Sequence, residues 1–475
     1  MNNIYIIITI IFNMNKDDED KFVIILGCLL LFSVQILGNM IVIALPSITE
    51  TLKLSMDASN AVTLVYLVLV ISLILPFGKF ISKYGVGKYL KIGIILGIIS
   101  LFICAIAPNY LIFIIGRILQ GVSTALICCA INLTLSLQLS GETFGRGIGI
   151  VLSLGYGGLT LSYLFSGFIT YYLSWRVLFL SLIPFYIIAL YILIKLNKEW
   201  FLRSQIKIDY KGSIIYFLFM ILFSTSLSFL DNNGIFFLPI SFVLLIIFLM
   251  VERNNEYPLY NLKLLRYSDY VIGNYASFVV FFITFITIYI LNFYLQYHEG
   301  YDPSVTGLFL LPAAIAMIVV AHFAGKLTVK YDVRLLSAAG CIILIFATYI
   351  ILLMDFIPIY YIFLACIVLG IAEGFFLVSN NRHVGLTINT ENFIDSSTFL
   401  FTNRELGKTI SLALYFLISG LVFGDTGTYE GNLLHLIMTG EMMMRISMVL
   451  TVSVVILLIA MWYKNKKNSK KLESK

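Results

Sequence analysis

The sequence predicts an all-α polytopic membrane protein with 14 transmembrane helices arranged 6+2+6, and three observations carry that prediction. Of the 475 residues, 60% are hydrophobic and only 12% are charged, whereas soluble chains carry about 25% charged residues. The mean hydropathy is +0.99. The hydrophobic residues also form windows of spanning length, and the basic residues collect in alternate connections. This composition excludes a soluble enzyme, a nucleic-acid-binding protein and a secreted disulfide scaffold.

Fourteen stretches of the chain are long and apolar enough to cross the hydrocarbon core of a bilayer, which takes about 20 helical residues. They lie approximately at 22–45, 59–77, 89–107, 110–138, 147–171, 177–196, 212–230, 235–251, 270–296, 304–328, 335–353, 357–380, 397–423 and 443–463. Because the number of spans is even, both termini are expected on the same side of the membrane.

The distribution of lysine and arginine predicts the orientation of these helices. All but four of the 31 basic residues lie at the termini or in connections that share one side. The exceptions are Lys53, Arg117, Arg176 and Arg445. Cytoplasmic loops are enriched in basic residues, so that side and both termini are predicted to be cytoplasmic. The chain is therefore expected to be a multi-pass protein of the cytoplasmic (plasma) membrane.

The chain also contains an internal repeat. Residues 78–86 (GKFISKYGV) share five identities in register with residues 325–333 (GKLTVKYDV), and Leu119-Gln-Gly121 resembles Ala372-Glu-Gly374. The offsets, 247 and 253 residues, are similar enough to indicate one duplication. Parallel repeats of six helices are a transporter architecture, with the substrate site near the midplane between the halves.

The duplication divides the chain into two related bundles and three further segments. These are a cytoplasmic N-terminal segment (1–21), an N-terminal six-helix bundle (22–196), a linker with two inserted helices (197–269), a C-terminal six-helix bundle (270–463) and a basic cytoplasmic tail (464–475).

Six short motifs follow one another along the predicted helices. They are Ile43-Ala-Leu-Pro46, the Gly78-to-Lys88 segment, Arg117-Ile-Leu-Gln-Gly121, Ser174-Trp-Arg176, the Leu295-to-Pro312 junction and Arg404-Glu-Leu-Gly407. In this order they resemble the major facilitator superfamily, and within it the fourteen-helix drug:proton antiporter family of EmrB/QacA type. The resemblance implies the major facilitator fold, a small-molecule substrate and proton-coupled export.

Three positions depart from the pattern of that family. The end of the first helix reads Leu37-Gly-Asn-Met-Ile41 and lacks the family's aspartate. Ser82 stands at the loop aspartate and Val86 at the arginine that follows the loop glycine. The fifth helix reads Ser162-Tyr-Leu-Phe-Ser-Gly167, without the proline of the antiporter motif. Proton coupling must therefore be assigned to other residues.

Five residues inside predicted helices are candidates for coupling: Arg117, Gln120, Glu373, Arg404 and Lys408. A charge near the bilayer centre costs roughly 2.5–3.5 kcal/mol on insertion scales, so such residues usually face the protein interior and have a role. Arg117 is either a coupling residue or a tether to backbone carbonyls. Glu373 is taken as the only acid deep inside a span. It and Arg404 are expected about 10 Å from the cytoplasmic edge, either as an ion pair or with Glu373 as the coupling acid.

Two further groups of residues are assigned roles. The loop after the second helix is expected to gate the cytoplasmic side through Gly78, Lys83, Gly85 and Lys88. Uncharged polar residues are expected to line a substrate pocket: Gln35, Asn39, Tyr66, Asn132, Asn274, Asn292 and Gln296. Each could instead make an interhelical hydrogen bond. Together with the many Phe and Tyr residues they predict a pocket for amphipathic or lipophilic compounds.

These expectations combine into a secondary active transporter for multidrug efflux by alternating access, with a small-molecule substrate, protons and the lipid bilayer as partners. No cofactor, metal, nucleic acid or nucleotide is expected, because Gly407-Lys-Thr409 lacks the rest of a phosphate-binding loop. The alternative within transport is a dedicated exporter of one metabolite or siderophore, with or without proton coupling. A membrane sensor or a membrane-embedded enzyme is the alternative of another class. The first would need an output domain, and the second would need clustered His, Asp or Glu residues.

Overall fold

The structure of the protein is a computed structural model that describes residues 19–201, 208–228, 234–387, 393–423 and 433–473. In these ranges the regular secondary structure is helical and no strand occurs. Most of the predicted N-terminal segment, parts of the linker and the last two residues of the predicted tail lie outside the described residues.

Fourteen helices of the described chain are long and apolar enough to cross a membrane. They are α1 (Glu19–Leu52), α2 (Met56–Tyr84), α3 (Val86–Ile106), α4 (Tyr110–Gln138), α5 (Gly141–Tyr172), α6 (Trp175–Leu196), α7 (Tyr210–Ser228), α8 (Phe237–Asn254), α9 (Ser268–Phe293), α10 (Pro303–Lys330), α11 (Val333–Leu352), α12 (Ile359–Leu386), α13 (Phe393–Phe423) and α14 (Leu433–Glu473). Each predicted window falls on one of them, which confirms the predicted number of spans.

The helix starts follow from local sequence. The side chain of Asn109 accepts a hydrogen bond of 3.1 Å from the backbone N–H of Ile112 and so caps α4. Asp302 caps α10 by accepting bonds of 2.8 and 3.0 Å from the N–H groups of Ser304 and Val305. Pro303 occupies the first turn of α10, where its missing N–H is not needed. These caps fix the residues at which α4 and α10 begin.

The same helix pairs pack in both halves. In the first half α1 packs on α5 and α6, α3 on α4 and α6, and α2 on α4. In the second half α9 packs on α13 and α14, α11 on α12 and α14, and α10 on α12. Each helix of the first half therefore has its equivalent eight helices later. The two halves meet mainly where α5 packs on α10 and where α2 packs on α13.

The inserted helices α7 and α8 pack on each other at the edge of this interface. α7 contacts both α2 and α13, one helix from each half. The hydroxyl of Tyr216 donates a bond of 3.1 Å to the carbonyl oxygen of Ile71 in α2. Leu406 of α13 packs against the same apolar cluster. The insert thus covers one side of the seam between the halves.

Alternation of the helices defines two faces of the bundle. We call the face that holds the start of α1 and the end of α14 the terminal face, and the other the opposite face. The helix ends at Tyr84, Gln138, Leu196 and Leu386 all belong to the terminal face.

The predicted gating loop after the second helix is almost entirely helical, so the expectation of a loop was wrong. α2 continues through Gly78 and Lys83 to Tyr84, and α3 begins at Val86, ahead of Lys88. Only Gly85 separates them, with a φ of 110°, a conformation that favours glycine. Ser82, at the family's aspartate position, donates to the carbonyl oxygen of Gly78 at 2.6 Å. The small residues here form a tight helical corner.

A carboxylate from a distant segment caps the start of α3. Glu199, three residues after the end of α6, accepts bonds of 2.6 Å from the N–H of Gly87 and 3.0 Å from that of Lys88. A Cβ added at Gly85 would lie 2.8 Å from the nearer carboxylate oxygen, and one at Gly87 would lie 2.7 Å from the carbonyl oxygen of Lys198. The corner therefore requires glycine for its backbone angle and for space.

We expect Gly85→Ala to lower stability by about 1–3 kcal/mol, the cost of a strained backbone conformation, with an added clash against Glu199. The thermal midpoint in detergent, followed by size-exclusion chromatography, measures this. Gly325→Ala is the matched control, because no heavy atom lies within 4 Å of its added Cβ. Equal midpoints for the two variants would contradict this reading of the corner.

Candidate transport site

Three connected chambers lie between the two halves. The entrance chamber, about 160 Å³, is lined by Asn132, Ser136, Asn381, Ser397 and Arg404 among others, and lies nearest the terminal face. The charged chamber, about 60 Å³, is lined by Gln35, Asn132, Tyr156, Arg404, Glu405 and Lys408 among others. The apolar chamber, about 40 Å³, lies around Asn39, Tyr163, Phe281, Phe285, Glu373 and Lys408. Neighbouring chambers share lining residues, so they follow one another from the terminal face toward the middle of the bundle, and we call this row of chambers the path.

The apolar chamber has walls of aromatic and aliphatic side chains from both halves. α5 contributes Tyr163, while α9 contributes Phe281 and Phe285. Its ionisable groups are Glu373 of α12 and Lys408 of α13. No ion pair formed by the described residues includes Glu373, which is only partly buried. An acid that faces an apolar cavity without a cationic partner can exchange a proton with whatever enters that cavity.

A buried ion pair lies in the charged chamber. Lys408 Nζ lies 2.6 Å from Glu405 Oε1, one helical turn away on α13. Only 5% of Lys408 and 6% of Glu405 is exposed. Because a single buried charge would be costly, each residue requires the other. Lys408 and Glu373 both line the apolar chamber, so Lys408 borders this chamber as well as the charged one.

Arg404 connects the two halves near the entrance. Its guanidinium donates to the side-chain oxygen of Asn381 and, at 3.2 Å, to the hydroxyl of Tyr156 on α5. Asn381 also donates to that hydroxyl, at 3.3 Å. The guanidinium lies over the Phe281 ring, 5.3 Å from its centroid. Its Nε is buried and has no hydrogen-bond partner among the described residues, which leaves one donor for a bound molecule.

The expected ion pair between Glu373 and Arg404 was wrong. α12 does not end at Asn380 but continues to Leu386, because Asn380 and His383 find partners inside the bundle. Asn380 donates to the carbonyl oxygen of Gly273 at 3.0 Å, and His383 lies 3.0 Å from Asp269. Glu373 therefore lies near the middle of its helix, about 20 Å from the end of α12 at 1.5 Å per residue.

Arg117 and Gln120 lie in the interior of the N-terminal half and line none of the three chambers. Arg117 is 0% exposed. It donates to the carbonyl oxygen of Val62 in α2 at 3.0 Å and to Gln120 Oε1 at 2.8 Å. Its guanidinium carbon lies 4.5 Å from the centroid of the Tyr66 ring. This arrangement matches the tether to backbone carbonyls, and the tether joins α4 to α2.

The structure separates the predicted substrate-binding residues into two groups. Gln35, Asn39 and Asn132 line the chambers. Tyr66, Asn274, Asn292 and Gln296 do not line them. Tyr66 is held by Thr124 and Arg117, and Asn274 accepts a bond of 3.1 Å from Asn403. The side chains of these four residues make hydrogen bonds between helices and do not face a cavity.

The path is sealed toward the opposite face by contacts between the halves. Asn292 of α9 donates to the carbonyl oxygen of Val42 at 2.8 Å, and Gln296 donates to that of Ile43 at 3.1 Å. α5 and α10 pack backbone to backbone nearby. A Cβ added at Gly167 would lie 2.3 Å from the Pro303 carbonyl oxygen, and one at Gly307 would lie 2.7 Å from that of Tyr163. The structure is thus closed at the opposite face, and its chambers lie nearer the terminal face.

Two residues of the site were missed from the sequence. Glu405 contradicts the reading of Glu373 as the only acid deep inside a span, and its position beside Arg404 in an apolar window could have revealed it. Tyr156 gave no such signal, because a tyrosine in an apolar helix is common. Its role depends on the packing of α5 against helices more than 200 residues later, which the sequence does not display.

The fold agrees with the family match. The sequence profile of the Major Facilitator Superfamily matches residues 27–393. This chain therefore belongs to the Major Facilitator Superfamily, a family of membrane transport proteins whose members are carriers.

Individual relatives are distant but cover most of the chain. The riboflavin transporter RibZ of Clostridioides difficile is 23% identical over 396 residues, which are 83% of this chain and 87% of that protein. The uncharacterized transporter YebQ of Escherichia coli is 26% identical, over 82% of this chain and 86% of its own. The quinolone resistance protein NorB of Staphylococcus aureus is 25% identical, over 74% and 78%.

We expect Glu405→Gln to destabilise the protein by about 3–5 kcal/mol, because it leaves the Lys408 ammonium buried without its partner. Lys408→Met should cost a similar amount, and the double variant should recover most of the loss. Glu441→Gln is the control, since Glu441 forms its 3.2 Å pair with an Arg445 side chain that is 67% exposed and such pairs contribute little. The thermal midpoints of the four variants measure this. Additive losses in the double variant would contradict the pairing.

Proposed function

We propose that this protein exports small amphipathic or lipophilic organic compounds from the cytoplasm by proton-coupled alternating access. The observation that carries the proposal is the apolar, aromatic cavity between the halves, with an acid and a lysine in its wall. Apolar cavities of about 300–1,000 Å³ bind compounds of this kind, with a few polar groups fixing orientation, so the chamber of about 40 Å³ would have to widen as a substrate enters from the entrance chamber. The quinolone resistance relative supports efflux, and the gradient of protons would supply the energy.

The proposed orientation of the protein in the membrane is inferred from the distribution of its basic residues. Nearly all lysines and arginines of the described chain lie at or near helix ends on the terminal face, so by the positive-inside rule it is the cytoplasmic face. The chambers then open toward the cytoplasm, and the contacts among Asn292, Gln296, Val42 and Ile43 close the outer side. In this orientation the structure corresponds to the inward-facing side of the transport cycle, in which an exporter loads its substrate.

Glu373 is the proposed proton carrier. It lines the apolar chamber and forms no ion pair with another described residue, while Lys408 of the same chamber is neutralised by Glu405. When Glu373 is ionised, Lys408 can lie between two acids. When Glu373 is protonated, Lys408 has only Glu405. Because one proton changes which acid the lysine favours, it can change the position of α12 relative to α13. This coupling replaces the aspartate that the first helix lacks.

A dedicated exporter of one metabolite is the second candidate. Two observations favour it: a relative named as a riboflavin transporter aligns with 83% of this chain, and the free Nε donor of Arg404 can recognise a specific carbonyl. The two candidates differ in breadth of substrate, which a panel of compounds distinguishes.

We expect Glu373→Gln to abolish pH-driven transport while leaving substrate binding in place. Proteoliposomes with an imposed pH gradient are assayed for uptake of a fluoroquinolone, ethidium and riboflavin, together with substrate-triggered proton flux. The wild type should accumulate at least one compound, and the gradient should stimulate the rate roughly ten-fold, within the range of couplings between sites. The variant should bind but ignore the gradient.

The matched control is Glu252→Gln, another acid within a helix, on α8 away from the chambers. It should transport like the wild type. Substrate-linked proton flux that persists unchanged in Glu373→Gln would contradict the assignment of Glu373 as the proton carrier. Uptake by the wild type that ignores the gradient would instead sink proton coupling.

We expect Gly307→Leu to shift the protein away from the closed state of the outer side, because its side chain would meet the Tyr163 carbonyl oxygen. Native Cys366, which lines the apolar chamber, reports the opening. A membrane-impermeant maleimide applied from the outside should label Cys366 roughly ten-fold faster in the variant, as quantified by peptide mass spectrometry. Gly325→Leu, on the same helix with open space around it, should label at the wild-type rate. Equal rates in all three would contradict the seal.

A further inference from the structure

A second cavity of about 720 Å³ opens at the terminal face, apart from the three chambers. It lies among the starts of α9 and α11, the end of α12 and the distal part of α14. Its ionisable lining residues include Arg266, Asp269, Arg334, Arg382, His383 and Lys464. The transport path uses none of them. We call it the basic cavity.

The acids of the basic cavity are already paired. Asp269 lies 2.8 Å from Arg334 Nε and 3.0 Å from His383 Nε2, and Asp332 lies 3.1 Å from Arg334 NH1. This leaves three cations on the rim: Arg266, Arg382 and Lys464. None of them forms an ion pair within the described residues. Arg382 donates a hydrogen bond of 3.1 Å to the hydroxyl of Thr328. The cavity therefore presents an uncompensated positive charge.

The equivalent place in the N-terminal half is filled by the chain itself. There the segment after α6 turns under the bundle, and the carboxylate of Glu199 caps the start of α3 through Gly87 and Lys88. Trp200 donates to Gln138 at the end of α4 at 3.0 Å. Lys198 pairs with Glu19 at the start of α1 at 2.7 Å. The elements α1, α3, α4 and α6 thus enclose an anion of the protein.

The C-terminal half has the same four elements, but there the start of α11 is capped by its own Asp332, which accepts a bond of 2.9 Å from the N–H of Arg334, and not by a segment from a distant part of the chain. α9, α11, α12 and α14 are the equivalents of α1, α3, α4 and α6. α14, however, continues as a helix to Glu473 and sends no segment under the bundle within the described residues. The start of α9 also lacks a side-chain cap, so its N–H groups add positive potential. In the described C-terminal half no counterpart of the 197–201 segment fills this place, so the cavity stays open beside Arg266, Arg382 and Lys464.

We propose that the basic cavity binds a phosphate group, supplied by the headgroup of an anionic phospholipid or by a free phosphate. Arg266, Arg382 and Lys464 would hold its oxygens, since arginine and lysine are the usual partners of phosphate. The rim carries exposed Tyr267, Tyr331 and Leu386, residues suited to the boundary between headgroups and acyl chains. Basic pockets between transmembrane helices are known sites for anionic headgroups.

Native mass spectrometry of the purified full-length protein tests the proposal. The probes are phosphatidylglycerol, phosphatidylcholine and inorganic phosphate. The wild type should retain phosphatidylglycerol in preference to phosphatidylcholine. The triple variant Arg266→Gln, Arg382→Gln, Lys464→Gln should bind it roughly ten- to a hundred-fold more weakly, given the contribution of each basic residue near a membrane surface. The matched control removes three exposed charges from the same face outside the cavity: Arg253→Gln, Lys326→Gln, Lys330→Gln.

The outcomes separate the two sources of phosphate. Loss of phosphatidylglycerol binding in the triple variant but not in the control supports a lipid headgroup. Inorganic phosphate that binds the wild type, competes with the lipid and is lost only in the triple variant supports a free phosphate. If neither probe distinguishes the triple variant from the control, the proposal is overturned. Should the triple variant not fold, the single variant Arg382→Gln, at an exposed position, is measured in the same way.

Discussion

A charge inside an apolar bundle needs either a partner or a cavity, and this constraint organises the transport site. The acidic and basic residues in the walls of the three chambers, Glu373, Arg404, Glu405 and Lys408, all belong to the C-terminal half. The N-terminal half contributes neutral groups such as Asn39, Asn132 and Tyr156. Its own buried charge, Arg117, is bonded to Val62 and Gln120 and faces no chamber. A proton that enters the chambers therefore acts on one half of the molecule.

The two halves share a packing plan but use it differently. The N-terminal half is stiffened by its own side chains, through the Arg117 tether and the Glu199 cap on α3. The C-terminal half leaves Glu373 without an ion pair in the apolar chamber and leaves the basic cavity open to an outside anion. The internal duplication reveals this difference between the halves, because each stabilising contact of one half can be compared with the equivalent position in the other.

Closure at the opposite face depends on small residues. Gly167 and Gly307 let α5 and α10 approach until backbone meets backbone, and the side chains of Asn292 and Gln296 hold α9 against α1. These contacts are polar or involve little side-chain surface, so they can separate without exposing a large apolar area. A seal of this kind suits a transporter, whose two closed states must have similar free energies.

The sequence predicted the helices, their number and the duplication, because apolar windows and basic connections depend only on local composition. The prediction failed where tertiary contacts determine the depth of a residue and its partners. Asn380 and His383 resembled the polar end of a span, yet each makes a bond to α9 inside the bundle, and this misplaced Glu373 relative to Arg404. Gly78 to Lys88 resembled a loop, but its corner depends on Glu199, more than a hundred residues away. The depth of a residue in the bundle and its bonding partners depend on packing between distant segments, and a single sequence does not show that packing.

The most direct test of the central claim measures the distance between the halves at the opposite face. Spin labels are attached to Tyr172→Cys on α5 and Val305→Cys on α10, in a chain whose six native cysteines are replaced by serine. Double electron–electron resonance is then recorded at acidic and alkaline pH, in the wild type and in Glu373→Gln. The account predicts two distance populations in the wild type, whose ratio changes with pH, and a ratio in Glu373→Gln that does not change between the two pH values. A single distance in every condition, or the same pH response in both proteins, would contradict it.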